Sequence, residues 1–263
     1  ARVLRNDGAA LTLRSVSITG GSVAGGAGVG EGGGVLSVGP LTLEFATVEG
    51  NRADGDLGGL GGGVYARSTL AVLASSVTGN QAGGGTSVFG GRGGGAAALG
   101  AVTVTDSTVS DNTSEGASAG GGQAGGLLAR SHAVVTRSTL AGNQASAGVE
   151  AGSGSMAALA ADGDLRVENS TITANVASGA ASVNGGITAA GDLQIAYSTI
   201  VGNEAATRGA NVVFSSGGSV FGSIIAQAAG GAPNCSNTTG TSQGYNVTDD
   251  DSCGLSGTGD RVD

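Results

Sequence analysis

Apolar residues come in short alternating runs along this chain: Leu41 and Leu43 then Val48, Leu70 and Val72 then Val77, Leu165 and Val167 then Ile172. A period of two within each run predicts strands of three to five residues with one face buried. Gly, Ser, Asn and Thr stand between the runs, and these are turn residues. A helical reading fails, because the glycine density would penalise any helix interior. The pattern predicts many short strands joined by tight turns.

The runs repeat. Leu41–Asn51 (LTLEFATVEGN), Leu70–Asn80 (LAVLASSVTGN), Val102–Asn112 (VTVTDSTVSDN), Ala133–Asn143 (AVVTRSTLAGN), Leu165–Asn175 (LRVENSTITAN) and Leu193–Asn203 (LQIAYSTIVGN) are copies of one unit. Leu11–Gly21 opens the series, with starts spaced 30, 29, 32, 31, 32 and 28 residues, and the weaker Ser219–Gln227 closes it. Each unit has a second block, a glycine pair followed by apolar residues, as at Gly62-Gly63-Val64-Tyr65, Gly94-Gly95-Ala96-Ala97 and Gly125-Gly126-Leu127-Leu128.

Short strands at such a period predict an all-β fold, a single-stranded parallel β-helix or solenoid of seven to eight coils of 28–32 residues. Equivalent residues would stack about 4.8 Å apart from coil to coil. The crossover rule makes the expected helix right-handed. The recurring Asn51, Asn80, Asn112, Asn143, Asn175 and Asn203 would then stack as a structural amide ladder that also satisfies turn backbone. Ser75, Ser107, Ser138, Ser170 and Ser198 would form an inner hydroxyl stack beside it.

Composition agrees. Glycine makes up 55 of 263 residues, without collagen's three-residue period and with only two prolines. With 39% apolar and 12% charged residues the chain is not of disordered type. A net charge of −9 argues against nucleic acid, which needs a basic stripe, and against anionic membrane surfaces. No apolar run is long enough to span a bilayer, so no membrane insertion by this chain is expected; Ala1 looks like a processed or excised start. Cys235 and Cys253 enclose a short polar loop and suggest a disulfide formed in an oxidising compartment.

The glycine-pair block and the Ser-Thr-apolar-x-x-Asn block, as in Ser138-Thr139-Leu140 with Asn143, resemble the repeats of chlamydial polymorphic outer-membrane proteins. They are still more similar to secreted bacterial right-handed β-helix proteins with choice-of-anchor domains. The tail fits that family's post-helix segment, with Pro233-Asn234-Cys235, Gly244-Tyr245-Asn246, Ser252-Cys253-Gly254 and Gly259-Asp260. The resemblance covers roughly the whole chain and implies a cell-surface or secreted location more than a mechanism. It divides the chain into a β-helix over residues 1–230 and a disulfide-closed segment over 231–263 packed on the last coil.

The chain enters a coil almost at once, at Arg2-Val3-Leu4, without an evident cap. Either it is a fragment or its ends pair head to tail with other copies, which would build filaments. The expected role is therefore a non-catalytic extracellular structural or adhesive module, with itself, extracellular matrix or glycans as partners.

Parallel β-helices also carry polysaccharide lyases and hydrolases, so a carbohydrate-active enzyme or glycan binder is the alternative. One column ahead of the strands places the lone His132 in line with Asp164 and Asp192, which could bind a cation or move a proton or simply be a solvated face. A neighbouring column of Asp106, Arg137, Asn169 and Tyr197 reads as a surface ion pair and hydrogen bonds. Asp249-Asp250-Asp251 reads first as a solvated acidic turn; it could hold Ca²⁺, although its spacing is not that of an EF-hand, and no other cofactor is expected. The loops Gly83–Gly95 and Ser114–Gly126 are candidates for contacts. A hydroxyl row including Ser17/Thr19 and Thr171/Thr173 resembles ice-binding arrays, a remoter alternative interrupted by Glu49, Ala141 and Val201.

Overall fold

The structure, a computed structural model, describes residues 1–86, 89–117, 120–148, 154–236 and 240–262. It is an all-β parallel solenoid. Among the described residues, four sheets run along its length. Sheet 1 stacks nine strands from Leu4–Asn6 to Cys235–Ser236, and sheet 2 stacks nine from Leu11–Arg14 to Gly240–Gly244. Sheet 3 stacks ten from Ser17–Thr19 to Arg261–Val262. Sheet 4 holds six short strands from Ser22–Ala24 to Val176–Ala177, so six successive turns carry all four sheets and later turns carry three. Beyond Val176, isolated bridges through Glu204 and Ala229 continue the line of sheet 4.

Repeat positions align as register partners: Leu41, Leu70, Val102, Ala133, Leu165 and Leu193 lie side by side in sheet 2. Alternation sends Leu43, Val72, Val104 and Val167 inward beside them, each fully buried. Sheet 3 contributes one inward residue per turn, among them Ile18, Val77, Leu140, Ile172 and Ile200. Sheet 1 differs, because most of its strands are buried on both faces. The outward Leu36, Tyr65, Ala97, Leu128 and Ala160 form a second apolar cluster against Leu60 and Met156. The loops on the glycine-rich side therefore cover a sheet face.

The two sequence blocks meet in space. A Cβ at Gly63 would stand 2.8 Å from the Asn80 amide carbon, and one at Gly95 would stand 2.9 Å from that of Asn112. The second glycine of each pair thus leaves room for the asparagine. Each buried Asn donates from Nδ2 to the Oδ1 of the next, at 2.9 Å for Asn51 to Asn80 and 3.0 Å for Asn80 to Asn112. The series continues through Asn143 and Asn175 to Asn203 at 2.8–3.0 Å. Each amide also donates to a backbone carbonyl one turn back, as Asn112 does to Val77 at 2.9 Å.

The serines make a different device from the expected hydroxyl stack. Ser75 Oγ donates to the Leu73 carbonyl at 2.7 Å and accepts from the Ala46 backbone N–H at 3.0 Å. Ser75 N–H in turn donates to Ser107 Oγ at 3.0 Å, and the pattern repeats through Ser138, Ser170, Ser198 and Ser223. Hydroxyl-to-backbone staples form this column. The corner leaves two buried backbone groups per turn that the sheets cannot reach, and a hydroxyl serves both.

The solenoid also runs past residue 230. Cys235–Ser236, Gly240–Gly244 and Val247–Thr248 extend sheets 1, 2 and 3 by a further turn. From Asp249 on, the chain carries a 3₁₀ turn at Asp251–Cys253 and is tied down by the Cys235–Cys253 disulfide. Cys253 and Leu255 join the main core, which here includes the fully buried Phe214.

Candidate functional site

The outer face of sheet 2 gathers two of the columns singled out from the sequence. Strands Ala133–Thr136, Leu165–Glu168 and Leu193–Ala196 lie in register, so their outward Val134, Arg166 and Gln194 are neighbours. The residue before each strand sits at the sheet edge, which brings His132, Asp164 and Asp192 together on the rim of one shallow cleft of about 180 Å³. All three are exposed. Asp164 Oδ1 accepts the Asp192 backbone N–H at 2.8 Å, Gln194 Nε2 donates to Asp192 Oδ2 at 2.9 Å, and Ser131 Oγ lies 3.3 Å from His132 Nδ1. Arg166 is held by Glu168 at 2.9 Å. Among the described residues no arginine pairs with Asp164 or Asp192, so the cleft offers acceptor oxygens and an imidazole to a hydroxyl-bearing ligand.

The opposite edge of the same face turns a corner into sheet 3. Here Arg137 grips Asp106 through two 2.7 Å bonds, and that guanidinium holds the Asp106 carboxyl below its ordinary range. Asn169 follows, exposed. Then come three aromatic rings in sequence along the axis: Tyr197 against Phe221 edge-to-face at 5.2 Å, and Phe221 against Tyr245 at 6.3 Å. The column expected to make a surface ion pair and hydrogen bonds makes the ion pair at Arg137 and Asp106, and farther along Tyr197 joins an aromatic ladder instead. Phe221 and Tyr245 were missed, because the repeat degenerates after Asn203 and hides their alignment.

A second cleft of about 260 Å³ lies beside sheet 4, lined by Arg52, Asp54, Asp56 and glycines of the neighbouring loops. Arg52 binds Asp54, Gln81 and, at 3.1 Å, Glu115. Burial opposes its charge, but the bonds to Asp54 and Glu115 outweigh burial and raise its pKa. This network was legible as a column, since Arg52 and Gln81 each follow a ladder asparagine. It consumes its own charges. The Gly83–Gly95 and Ser114–Gly126 loops supply Gly84, Gly85, Thr86 and Glu115 around it, while residues 87–88 and 118–119 lie outside the described residues.

The acidic turn is engaged by the protein itself. Asp249 accepts from Gln227 N–H at 2.8 Å and from Asn234 Nδ2, and Asp250 accepts from Asn234 N–H and Ser252 N–H, both at 3.0 Å. Asp251 opens the 3₁₀ turn and is exposed. Among the described residues no three His, Cys, Asp or Glu side chains come together as a metal-holding group. Set beside known proteins, the chain matches no family model, no curated protein and no solved structure.

Proposed function

We propose that this chain is a non-catalytic extracellular module, structural or adhesive in role, built on a right-handed β-helix of the kind found in secreted bacterial surface proteins. The observation that carries the reading is the pair of internal polar columns. Amides and hydroxyls bond from turn to turn along most of the length, which stiffens a narrow solenoid against bending and local opening. A rigid body with long loops and an open sheet face suits the display of contact surfaces. The disulfide suits an oxidising compartment. Self-association would use Arg261–Val262, the exposed last strand of sheet 3.

The cleft at His132, Asp164 and Asp192 favours the second reading, a carbohydrate-active protein that contacts sugar hydroxyls on sheet 2. Incubation with polysaccharides, followed by a reducing-end assay and an unsaturated-product assay, separates the two. Binding without new chain ends supports the adhesive module, and turnover that is lost in His132→Ala replaces it with the enzyme. Light scattering at high concentration tests self-association: a species growing with concentration supports a filament, and a constant monomer mass removes it.

A further inference from the structure

We infer that the corner between sheets 2 and 3, from Asn169 through Tyr197 and Phe221 to Tyr245, is a binding platform for an extended chain of a neutral polysaccharide. The inference rests on the adhesive reading and names its partner class. Tyr197 and Tyr245 are 56% and 63% exposed, and of the exposed rings, which include Phe45 and Phe89, these two are joined through a third ring. They are nevertheless not loose. Each lies over a glycine: a Cβ at Gly222 would stand 3.2 Å from the Tyr197 ring, and one at Gly259 would stand 2.7 Å from the Tyr245 ring. Phe221, half-buried, meets both rings edge-to-face and fixes their spacing. Rings supported from beneath and from the side lose little freedom on binding, which is how a platform gains affinity.

The geometry selects the occupant. Tyr197 and Tyr245 lie two solenoid turns apart, about 9.6 Å at about 4.8 Å per turn, close to the advance of two pyranoses, so alternate sugars would meet the two tyrosines with Phe221 edge-on between them. A pyranose presents one face of C–H groups to an aromatic ring and hydroxyls at its rim, matching an apolar ring with a polar tip. The exposed Asn169 amide extends the line with one donor group and one acceptor. The charges beside this stretch are paired: Arg137 with Asp106, and Glu168, in register with Ala196 and Phe221, with Arg166. With a net charge of −9 on the chain, a polyuronate or sulfated polymer would be repelled. Proline-rich peptides also bind aromatic rows, but they dock in walled grooves, and these rings stand on a corner between sheets.

The test is calorimetric titration of the full chain with cellohexaose, xylohexaose, mannohexaose and chitohexaose, with oligogalacturonate as the charged control and a polyproline peptide as competitor. At least one neutral series should bind and oligogalacturonate should not. Tyr197→Ala and Tyr245→Ala should each weaken binding roughly tenfold, while Tyr197→Phe stays within about twofold, because the ring is what counts. Both tyrosines are exposed, and an unchanged melting temperature confirms that the variants fold. Binding of none of the four series, or preference for the charged or proline-rich probe, overturns the proposal. Neutral-sugar binding that survives both alanine variants overturns the corner but leaves the adhesive reading intact. Cleavage of a bound oligosaccharide overturns the non-catalytic reading and leaves the corner standing.

Discussion

Asn234 Nδ2 donates to Asp249 Oδ1 at 2.5 Å, and this bond is where the asparagine ladder ends. The column changes side to reach it. After Asn203 the corner position passes to Ala228, which has no amide to offer. Asn211, standing in the column of the paired glycines, accepts from Asn203 Nδ2 at 2.7 Å and donates to Asn234 at 2.6 Å. Each amide donates from Nδ2 to the next amide on the C-terminal side, so the last one presents a donor with no further amide to receive it. Carboxylates close the column: Asp249 takes the side-chain donor and Asp250 the Asn234 backbone N–H. The serine column closes likewise, through Ser223 and Asn246 onto Asp260 at 2.8 Å. The acids of the tail terminate the two columns.

That arrangement makes the last turn acid-sensitive. Burial opposes ionisation of Asp250, but bonds from Asn234 and Ser252 outweigh it and hold its pKa below the ordinary value. At Asp260 burial is likewise outweighed, by donors from Ser242, Asn246 and Gly257. A carboxyl depressed in the folded state contributes its full stability above the unfolded value of about 4, and that contribution is lost as pH falls through the folded value. Hydrogen exchange at residues 249–262 should therefore accelerate below about pH 4 while sheets 1–3 of the central turns stay protected. Asp250→Asn and Asp260→Asn should flatten that dependence; a pH-independent exchange pattern in the unaltered protein would count against it.

Within the ladder, Asn112 is a central place to cut. It accepts from Asn80 N–H and Nδ2 and donates to Val77 and Asn143. Asn112→Ala removes the partner of two buried donors and two buried acceptors, and should cost about 2–4 kcal/mol in denaturant unfolding. The exposed Asn169 sits at a left-handed corner that Ala74 occupies elsewhere, so Asn169→Ala should cost under about 1 kcal/mol. Equal losses would mean that the amides merely fill space.

How much of this was readable follows from the period. The unit spacing, the inward Leu and Val positions and the buried Asn51 to Asn203 column all come from residues that recur in register, and recurrence is what a single sequence displays. The His132, Asp164 and Asp192 edge was found for the same reason. Asn211, Asn234 and the aromatic corner were not, since the repeat loses its phase where the column changes side. The acidic turn read as a solvated turn, with Ca²⁺ as the alternative, because its partners, Asn234 and Ser252, are brought to it by folding and the disulfide. The outward apolar residues of sheet 1 were hidden too, because a strand buried on both faces has no alternation to detect.

The paired glycines test the packing of the ladder directly. A methyl at Gly95 would approach the Gly126 carbonyl at 2.7 Å and the Asn112 amide carbon at 2.9 Å, one on each side. Ala158 occupies the same column one turn past Gly126, fully buried, so the solenoid can adjust when its neighbours are matched. Gly95→Ala should therefore cost about 1–3 kcal/mol without preventing folding. Gly28→Ala, whose methyl meets only the Gly25 carbonyl at 3.4 Å, should lie within about 0.5 kcal/mol of the parent. Denaturant midpoints of the two variants give the comparison, and indistinguishable midpoints would remove the steric link between the blocks.

The disulfide should act on the end of the solenoid and leave its body alone. Cys235 begins the last strand of sheet 1, Cys253 closes the 3₁₀ turn, and 18 residues separate them. Loop-closure entropy for such a span is worth about 3 kcal/mol. That stabilisation falls on residues 235–253, which are also held by strand pairing up to Thr248 and by the Asn234–Asp249, Asn234–Asp250 and Cys235–Ser252 hydrogen bonds. The central turns are held by their own ladders and by Leu and Val packing that does not pass through either cysteine. A Cys235→Ala/Cys253→Ala variant should thus show fast hydrogen exchange across Asp249–Val262 and greater protease sensitivity there, with near-native protection at Asn80 to Asn175. Loss of protection throughout the chain would instead show that the last turn and the body unfold as one unit.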